Sequence, residues 1–285
     1  MANIRVIRRR IRSIKSIANI TKAMQMIAAS KMRRAQERDL AGRPYSEKIR
    51  QVIADLAALS QTAELLHPLL QRRPVKRLAV VHITPDRGLC GGLPISINRL
   101  TASFILEQKL PVNLVVVGRK GFDFMRRYVR DIQAEFTHLG DQPRMFDTLP
   151  ISHIIIDAYT SGEVDQVYLA YTRFISTMRQ TPVLEQVLPV EPAVIPRAQN
   201  VDYIFEPSPA AVLSELLPRF VEMQVYHAIL ESIASEQSAR MVAMQNATDN
   251  AKDLIEDLTL VYNKARQESI TRELLDITGG AAAVA

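Results

Sequence analysis

The sequence predicts an α/β fold joined to long α-helical structure. The two chain ends are expected to wind into an antiparallel two-helix coiled coil, with a mostly parallel α/β domain inserted between them. Three observations predict this. No Gly or Pro occurs before Gly42, and none occurs from Arg219 to Thr278. Apolar residues in both stretches recur at the 3–4 spacing of one helix face. Between them, short β-branched runs alternate with helical patterns, the signature of βαβ units.

In the first segment, residues 1–60, the stripe runs Ile4, Ile7, Ile11, Ile14, then Ile17, Ile20, Met24, Ile27. The repeated steps of three from Ile11 to Ile20 predict a stammer that shifts the stripe around the helix. Gly42-Arg43-Pro44 is expected to break or kink it. A further helical stretch carries Ile49, Val52, Ile53, Leu56 and Leu59 and ends before Pro68.

In the middle segment, residues 75–200, strands are predicted at 78–83, 112–117, 133–137 and 167–172, with another extended run at 182–189. Helices are predicted at 95–107, 120–127 and 149–161. In the third segment, 208–285, Ser208 is a good N-cap, Pro209 suits the first helical position, and Gly279-Gly280 is the expected stop. The stretch from Arg219 to Thr278 would span roughly 90 Å as a helix. Its heptad positions include Met241, Met244, Thr248, Ala251, Ile255, Leu258, Tyr262 and Ala265. A helix this long needs a partner for its stripe, and the first segment is the comparable candidate. Several seam residues (Thr248, Ala251, Ala265, Ser269) are small or polar, a weakly apolar seam for so long a helix.

Composition narrows function. An apolar fraction of 47% supports a real core, while aromatics at 6% and the absence of Trp argue against an aromatic-rich ligand pocket. No apolar run approaches the roughly 20 residues of a membrane span. MANIRVIRRRIR lacks the apolar core of a secretory signal, although its pattern is that of an Arg-rich amphipathic segment. Cys90 is the one cysteine, which excludes an internal disulfide and a Cys-based zinc cluster. The net charge of +6 is uneven. Residues 1–40 hold eleven Arg and Lys against Glu37 and Asp39, whereas residues 241–285 hold four basic residues against seven acidic ones. The basic end needs an acidic neighbour: nucleic acid, anionic lipid or an acidic protein collar. A DNA-reading basic region is polar all round, so the isoleucines among these arginines weigh against the first.

TPDRGLCGGLP at 84–94 follows a strand and precedes a helix, where a phosphate loop would sit in an α/β fold. It has neither Lys-Ser/Thr after its last Gly nor G-x-G-x-x-G, so a structural turn with exposed contact residues is expected. Cys90 is read as a buried, inert thiol. His67, His82, His138, His153 and His227 lack metal-ligand spacing, and Asp253, Glu256 and Asp257 read as a solvated helix face. No catalytic arrangement, cofactor site or metal site is identified, and no small-molecule substrate is expected to bind the chain directly.

RRRIRSIKSIANITKAMQMIAASKMRRAQ at 8–36, the 84–94 turn, EPSPAAVLSELLPRF at 206–220 and NATDN…YNKARQESIT…ITGGA resemble the gamma subunit of F-type rotary ATP synthases. The resemblance covers both ends and the start of the middle segment, here a Rossmann-like foot. It implies the central rotor shaft of a proton-translocating enzyme, with no active site of its own. Its partners would be three alpha and three beta subunits, the epsilon subunit and the membrane c-ring, with no nucleic acid. Rotation of the c-ring would then drive the catalytic beta subunits through their states.

The resemblance also places contacts. Met24 should lie near the beta-subunit lever region and Arg240 close to it on the partner helix. Gln267 and Thr271 should hydrogen-bond to a loop of the surrounding ring, and Asp86 and Arg87 should touch a beta subunit. The weak seam would keep a rotating exterior free of large apolar faces, with Met241, Met244, Ile255 and Leu258 as anchors. Pro94 departs from the small polar residue usual in that family, so the start of the following helix is expected to shift. The cysteine pair of chloroplast members is absent, and Met1 favours a bacterial member, peripheral on the cytoplasmic face of the inner membrane. A basic coiled-coil nucleic-acid-binding protein is the alternative.

Overall fold

The computed structural model describes residues 4–59, 67–128, 131–191 and 206–282. The ends of the predicted segments at 1–3, 60, 192–200 and 283–285, and the side chains of Leu56 and Leu59, lie outside the described residues. The chain forms two compact units, one of residues 1–28 with 241–285 and one of residues 29–240.

In chain order come α1 (Ile4–Leu59), a 3₁₀ turn at Pro68–Leu70, β1 (Leu78–Ile83), α2 (Leu93–Gln108), β2 (Val112–Val117), α3 (Arg119–Met125), β3 (Ile132–Phe136), α4 (Met145–Thr160), β4 (Gln166–Ser176), β5 (Arg179–Leu188) and α5 (Pro209–Ala282). Neither predicted stop ends its helix. Gly42-Arg43-Pro44 lies within α1, and Gly279-Gly280 within α5. Gly42 answers a packing need instead: a Cβ there would come 2.7 Å from Cε1 of His227 on α5. Ser208 caps α5 as predicted, its hydroxyl accepting from Ala211 N at 3.2 Å. Pro94 occupies the first turn of α2, which starts at Leu93, two residues before the predicted Ile95.

The sheet of the larger unit runs β3-β2-β1-β4-β5. β1, β2, β3 and β4 are mutually parallel, and β5 closes one edge antiparallel to β4. β1 and β2 are buried at every position, as expected of central strands covered on both faces. Pro182 sits in β5, an edge strand, where a missing ladder donor is tolerated. One face carries a core of Leu78, Val80, Leu114, Val116, Ile97 and Met125. The other packs Val81, Val115, Ile155 and Leu169 against Leu217, Val221, Val225 and Ile229 of α5. α5 is therefore shielded on most of its circumference through residues 217–240.

The β1–α2 connection is held by close backbone approaches. Gly118 has φ +95, and a Cβ there would lie 1.9 Å from the Thr84 carbonyl oxygen. Thr84 Oγ1 accepts from Gly121 N at 2.8 Å. Behind it, His82 is fully buried between Asn98 Oδ1 (2.8 Å) and Thr101 Oγ1 (3.0 Å).

Burial lowers the His82 pKa to about 4, with the Asn98 hydrogen bond opposing. The unfolded chain binds a proton at this group near pH 6.5, and the folded chain does so only near 4. Stability is therefore fully present above pH 6.5 and falls as pH drops towards 4. The span corresponds to about 3 kcal/mol. Urea midpoints of the purified chain should fall between pH 7.5 and 4.5, and His82→Asn should flatten that slope even if it lowers the midpoint at pH 7.5. An equal slope in the variant would remove His82 from the account.

Candidate functional site

The smaller unit, formed by α1 to residue 28 and α5 from 241, has a regular seam. On α5 the shielded positions after Met241 include Met244, Thr248, Ala251, Ile255, Leu258, Tyr262, Ala265 and Ser269, the predicted heptad set. Thr21 and Thr248 meet through their hydroxyls at 2.7 Å, and Gln25 Nε2 donates to Gln245 Oε1. As residue number rises on one helix it falls on the other, so the pairing is antiparallel. Each threonine hydroxyl also lies on a carbonyl of its own helix, Ala18 O at 3.1 Å and Met244 O at 2.8 Å.

The seam of α1 differs from the prediction. Its shielded positions run Ile4, Ile7, Ile11, Ile14, Ala18, Thr21, Gln25 and Ala28, an unbroken 3–4 repeat with no stammer. Ile17, Ile20 and Ile27 are 50%, 57% and 54% exposed. Small side chains hold the inside because they let the backbones approach. The isoleucines, one position earlier in the helical turn, fall outside the contact. The expected exterior free of large apolar groups is corrected by the same observation: Met26, Leu254, Leu260, Val261 and Ile270 are exposed too. Arg8, Arg9, Arg10, Arg12, Lys15 and Lys22 share that exterior.

Met24 lies half-buried beside the seam. Gln267 and Thr271 are exposed one turn apart, and Thr271 Oγ1 donates to Gln267 O at 2.9 Å. Met241, Ile255 and Leu258 are half-buried and Met244 is buried, so all four predicted anchors sit in the seam.

The larger unit contains the 84–92 turn. Asp86 ties it to the start of α3 and the loop after β3, its carboxylate accepting from Arg119 N at 2.9 Å and His138 N at 3.0 Å. Arg87 is exposed, and Leu89, at φ +65, is 60% exposed. Cys90 is buried, with Sγ 3.7 Å from Arg87 O, and burial pushes its thiol pKa up. Arg240 is neither solvent-facing nor free. Its Nη2 donates to Gly88 O at 3.1 Å and to Glu236 Oε1 at 2.7 Å, and reaches Arg87 O at 3.5 Å. Burial raises the Glu236 pKa, Arg240 opposes, and Asp141 and Asp86 add to the rise.

Three predicted residues, Asp86, Arg87 and Arg240, thus converge on one turn. Sequence reasoning missed Glu236 and Leu89. Glu236 had a local signal, the i,i+4 spacing to Arg240, whereas the exposure of Leu89 follows from backbone conformation and has none. A polar cleft of about 420 Å³ lies between α1, the sheet and α5, with Asp39 paired to His227 at 2.9 Å and Arg173 to Glu185 along its wall. Among the described residues no group of three His, Cys, Asp or Glu could hold a metal ion, and no helix is long and apolar enough to cross a membrane.

Comparison with known proteins agrees with this architecture. The family model described as ATP synthase matches residues 3–284. The ATP synthase gamma chain of Dehalococcoides mccartyi strain CBDB1 is 70% identical over 285 residues, covering all of both chains. That of Roseiflexus sp. strain RS-1 is 50% identical over 289 residues, covering 100% of this chain and 99% of its own. The chain belongs to the gamma-chain family of the ATP synthases. Among solved structures, the central stalk and c-ring of the Tetrahymena thermophila mitochondrial ATP synthase contains a chain with TM-score 0.63 and 27% identity, over 80% of this chain and 99% of that one. A chain of the Euglena gracilis mitochondrial ATP synthase shares the fold, with TM-score 0.65 and 21% identity over 99% and 94% of the two chains.

Replacing Thr21 or Thr248 by Val should each destabilise the purified chain by about 1 kcal/mol. The double replacement should cost less than the two singles together, because the hydroxyls serve each other. Thermal melts of the four proteins measure the difference; strict additivity would mean that the threonines do not interact.

Proposed function

We propose that the chain is the central rotor shaft of a proton-translocating ATP synthase, coupling rotation of a membrane c-ring to the conformational cycle of catalytic beta subunits. The observation that carries this reading is the antiparallel pairing of the chain ends at Thr21–Thr248. It makes the two termini one element whose seam is internal and whose outer surface is available to other subunits. The chain contributes no catalytic group; its action is mechanical. An off-axis shaft turning inside a ring of three alpha and three beta subunits presents a different profile to each beta subunit in turn. The family relationship supports this reading, and the Tetrahymena chain comes from a central stalk solved with its c-ring.

The exterior suits such a sleeve. Ile17, Ile20 and Ile27, exposed along one helix and left uncovered by the described residues, offer apolar contact to a surrounding surface. The exposed arginines and lysines of α1 fit an acidic collar, and exposed charge pairs are individually weak enough to exchange as the shaft turns. Within this reading Met24 faces the beta-subunit lever region, and Gln267 and Thr271 offer hydrogen bonds to a loop of the ring. Asp86 and Arg87 belong to a contact outside the coiled coil, and Arg240 acts at that turn rather than as a free side chain. The α/β unit docks on the c-ring with epsilon, and the complex is peripheral on the cytoplasmic face of a bacterial inner membrane.

Co-expression with alpha and beta subunits tests the reading. A homogeneous complex with three of each and one copy of this chain, with ATPase activity above that of alpha and beta alone, is expected. Failure to associate, together with salt-sensitive DNA binding by the isolated chain, would favour the nucleic-acid alternative. Met24→Lys should leave assembly intact but weaken coupling. A cation pairing with an acidic loop by about 1 kcal/mol slows escape from that orientation about fivefold. ATP-driven proton pumping should then fall more than hydrolysis; an unchanged ratio of the two would remove Met24 from the coupling contact.

A further inference from the structure

The 84–92 turn is held by a residue far from it in sequence. Arg240 of α5 reaches the carbonyls of Gly88 and Arg87, and Glu236, one helical turn earlier, fixes the guanidinium at 2.7 Å. Both side chains are largely buried, 10% exposed for Arg240 and 14% for Glu236. A buried guanidinium nitrogen whose two N–H groups meet a carboxylate and the Gly88 carbonyl, with the Arg87 carbonyl at 3.5 Å beside them, holds its orientation, because withdrawing either close partner leaves charge or a donor unpaired. The backbone it grips needs such restraint. Gly88 and Gly91 have no neighbour within 4 Å of where a Cβ would sit, and Leu89 adopts a left-handed conformation uncommon for a branched side chain. Asp86 anchors the opposite end of the turn to Arg119 N and His138 N. With both ends fixed, Arg87 and Leu89 project outward while Cys90 turns inward.

We propose that Glu236 and Arg240 are positioning residues: as a buried latch on α5 they lock the 86–90 turn so that Arg87 and Leu89 are presented to a neighbouring subunit. The idea rests on the rotor reading for its consequence in coupling, but the latch itself is a property of this chain. A change at residues 236–240 moves the turn, so this stretch of α5 and the outer contact act together. Arg240 therefore affects coupling through Arg87 and Leu89 and not by touching the stator itself.

Cys90 is a built-in reporter, since it is the only cysteine of the chain and is buried by the turn it belongs to. Maleimide labelling of Cys90, followed by peptide mass spectrometry, is measured in the assembled complex for wild type, Arg240→Gln, Arg240→Lys and Glu236→Gln. Labelling of a buried thiol follows the population of the opened turn, and loss of the latch should raise it roughly tenfold. Arg240→Lys, with one point charge in place of a fork, should fall between wild type and Arg240→Gln. The ratio of proton pumping to hydrolysis should fall in the same order. Leu89→Ala should lower that ratio as well, and combining it with Arg240→Gln should add little, because both act through one contact. Unchanged Cys90 labelling in Arg240→Gln and Glu236→Gln overturns the latch whatever the chain's role. Raised labelling with an unchanged ratio, or coupling losses that simply add, shows that the turn does not carry Arg240's effect and overturns the positioning role. A failure of the chain to associate with alpha and beta subunits would strike the rotor reading instead. The same labelling comparison on the isolated chain then judges the latch.

Discussion

Close approach between α1 and α5 is the constraint on which the rest depends. At Thr21 and Thr248 the two helices are near enough for their hydroxyls to bond at 2.7 Å. Such a distance excludes Leu or Ile from the same layer, which explains why Ala18, Thr21, Ala28, Thr248 and Ala251 occupy the inside. A seam of small residues sacrifices buried apolar area, and long helices need burial to remain ordered. Met244, Ile255 and Leu258 restore part of it at intervals. The result is a thin, closely packed pair that leaves larger apolar side chains outside, where a surrounding protein can meet them.

In the larger unit the same two helices are used differently. α5 is covered on most sides by the sheet and α1, and its polar residues there are committed to internal partners. Asp39 meets His227 at 2.9 Å, Gln237 donates to Asp141 at 3.1 Å, Ser235 donates to Thr172 O at 3.0 Å, and Arg240 grips the 86–90 turn. Gly42 belongs to this arrangement, since any side chain would strike the His227 ring. These partners hold residues 227–240 of α5 firmly within the α/β unit.

Much of the fold was legible in the sequence because its signals are local. β1 and β2 are short Val- and Ile-rich runs bounded by polar, Pro or Gly residues, and their limits match residue for residue. The α5 heptad could be counted from Met244 to Ala265 because every seam position kept the 3–4 step. The α1 stripe was misread because Ile17, Ile20 and Ile27 are more apolar than Ala18, Thr21 and Ala28. Hydrophobicity named the wrong side of the helix where geometry selects for size; the unbroken repeat from Ile4 would have identified the right one. Gly42-Arg43-Pro44 read as a break because helix propensity weighs against Gly and Pro, yet tertiary packing overrides it. The latch was out of reach, since Gly88 and Arg240 are brought together only by the completed fold. Motif resemblance placed both on the functional side without indicating that they touch.

The most direct test of the account is a cross-link inside the seam. With Cys90→Ser as background, cysteines are introduced by Thr21→Cys and Thr248→Cys, whose side-chain oxygens stand close to the span a disulfide bridges. Single-molecule rotation is then recorded before and after oxidation of the assembled enzyme. A shaft that moves as one body predicts that the bond forms readily and that ATP-driven rotation continues at close to the reduced rate. A bond that fails to form, or one that stops rotation, would contradict it.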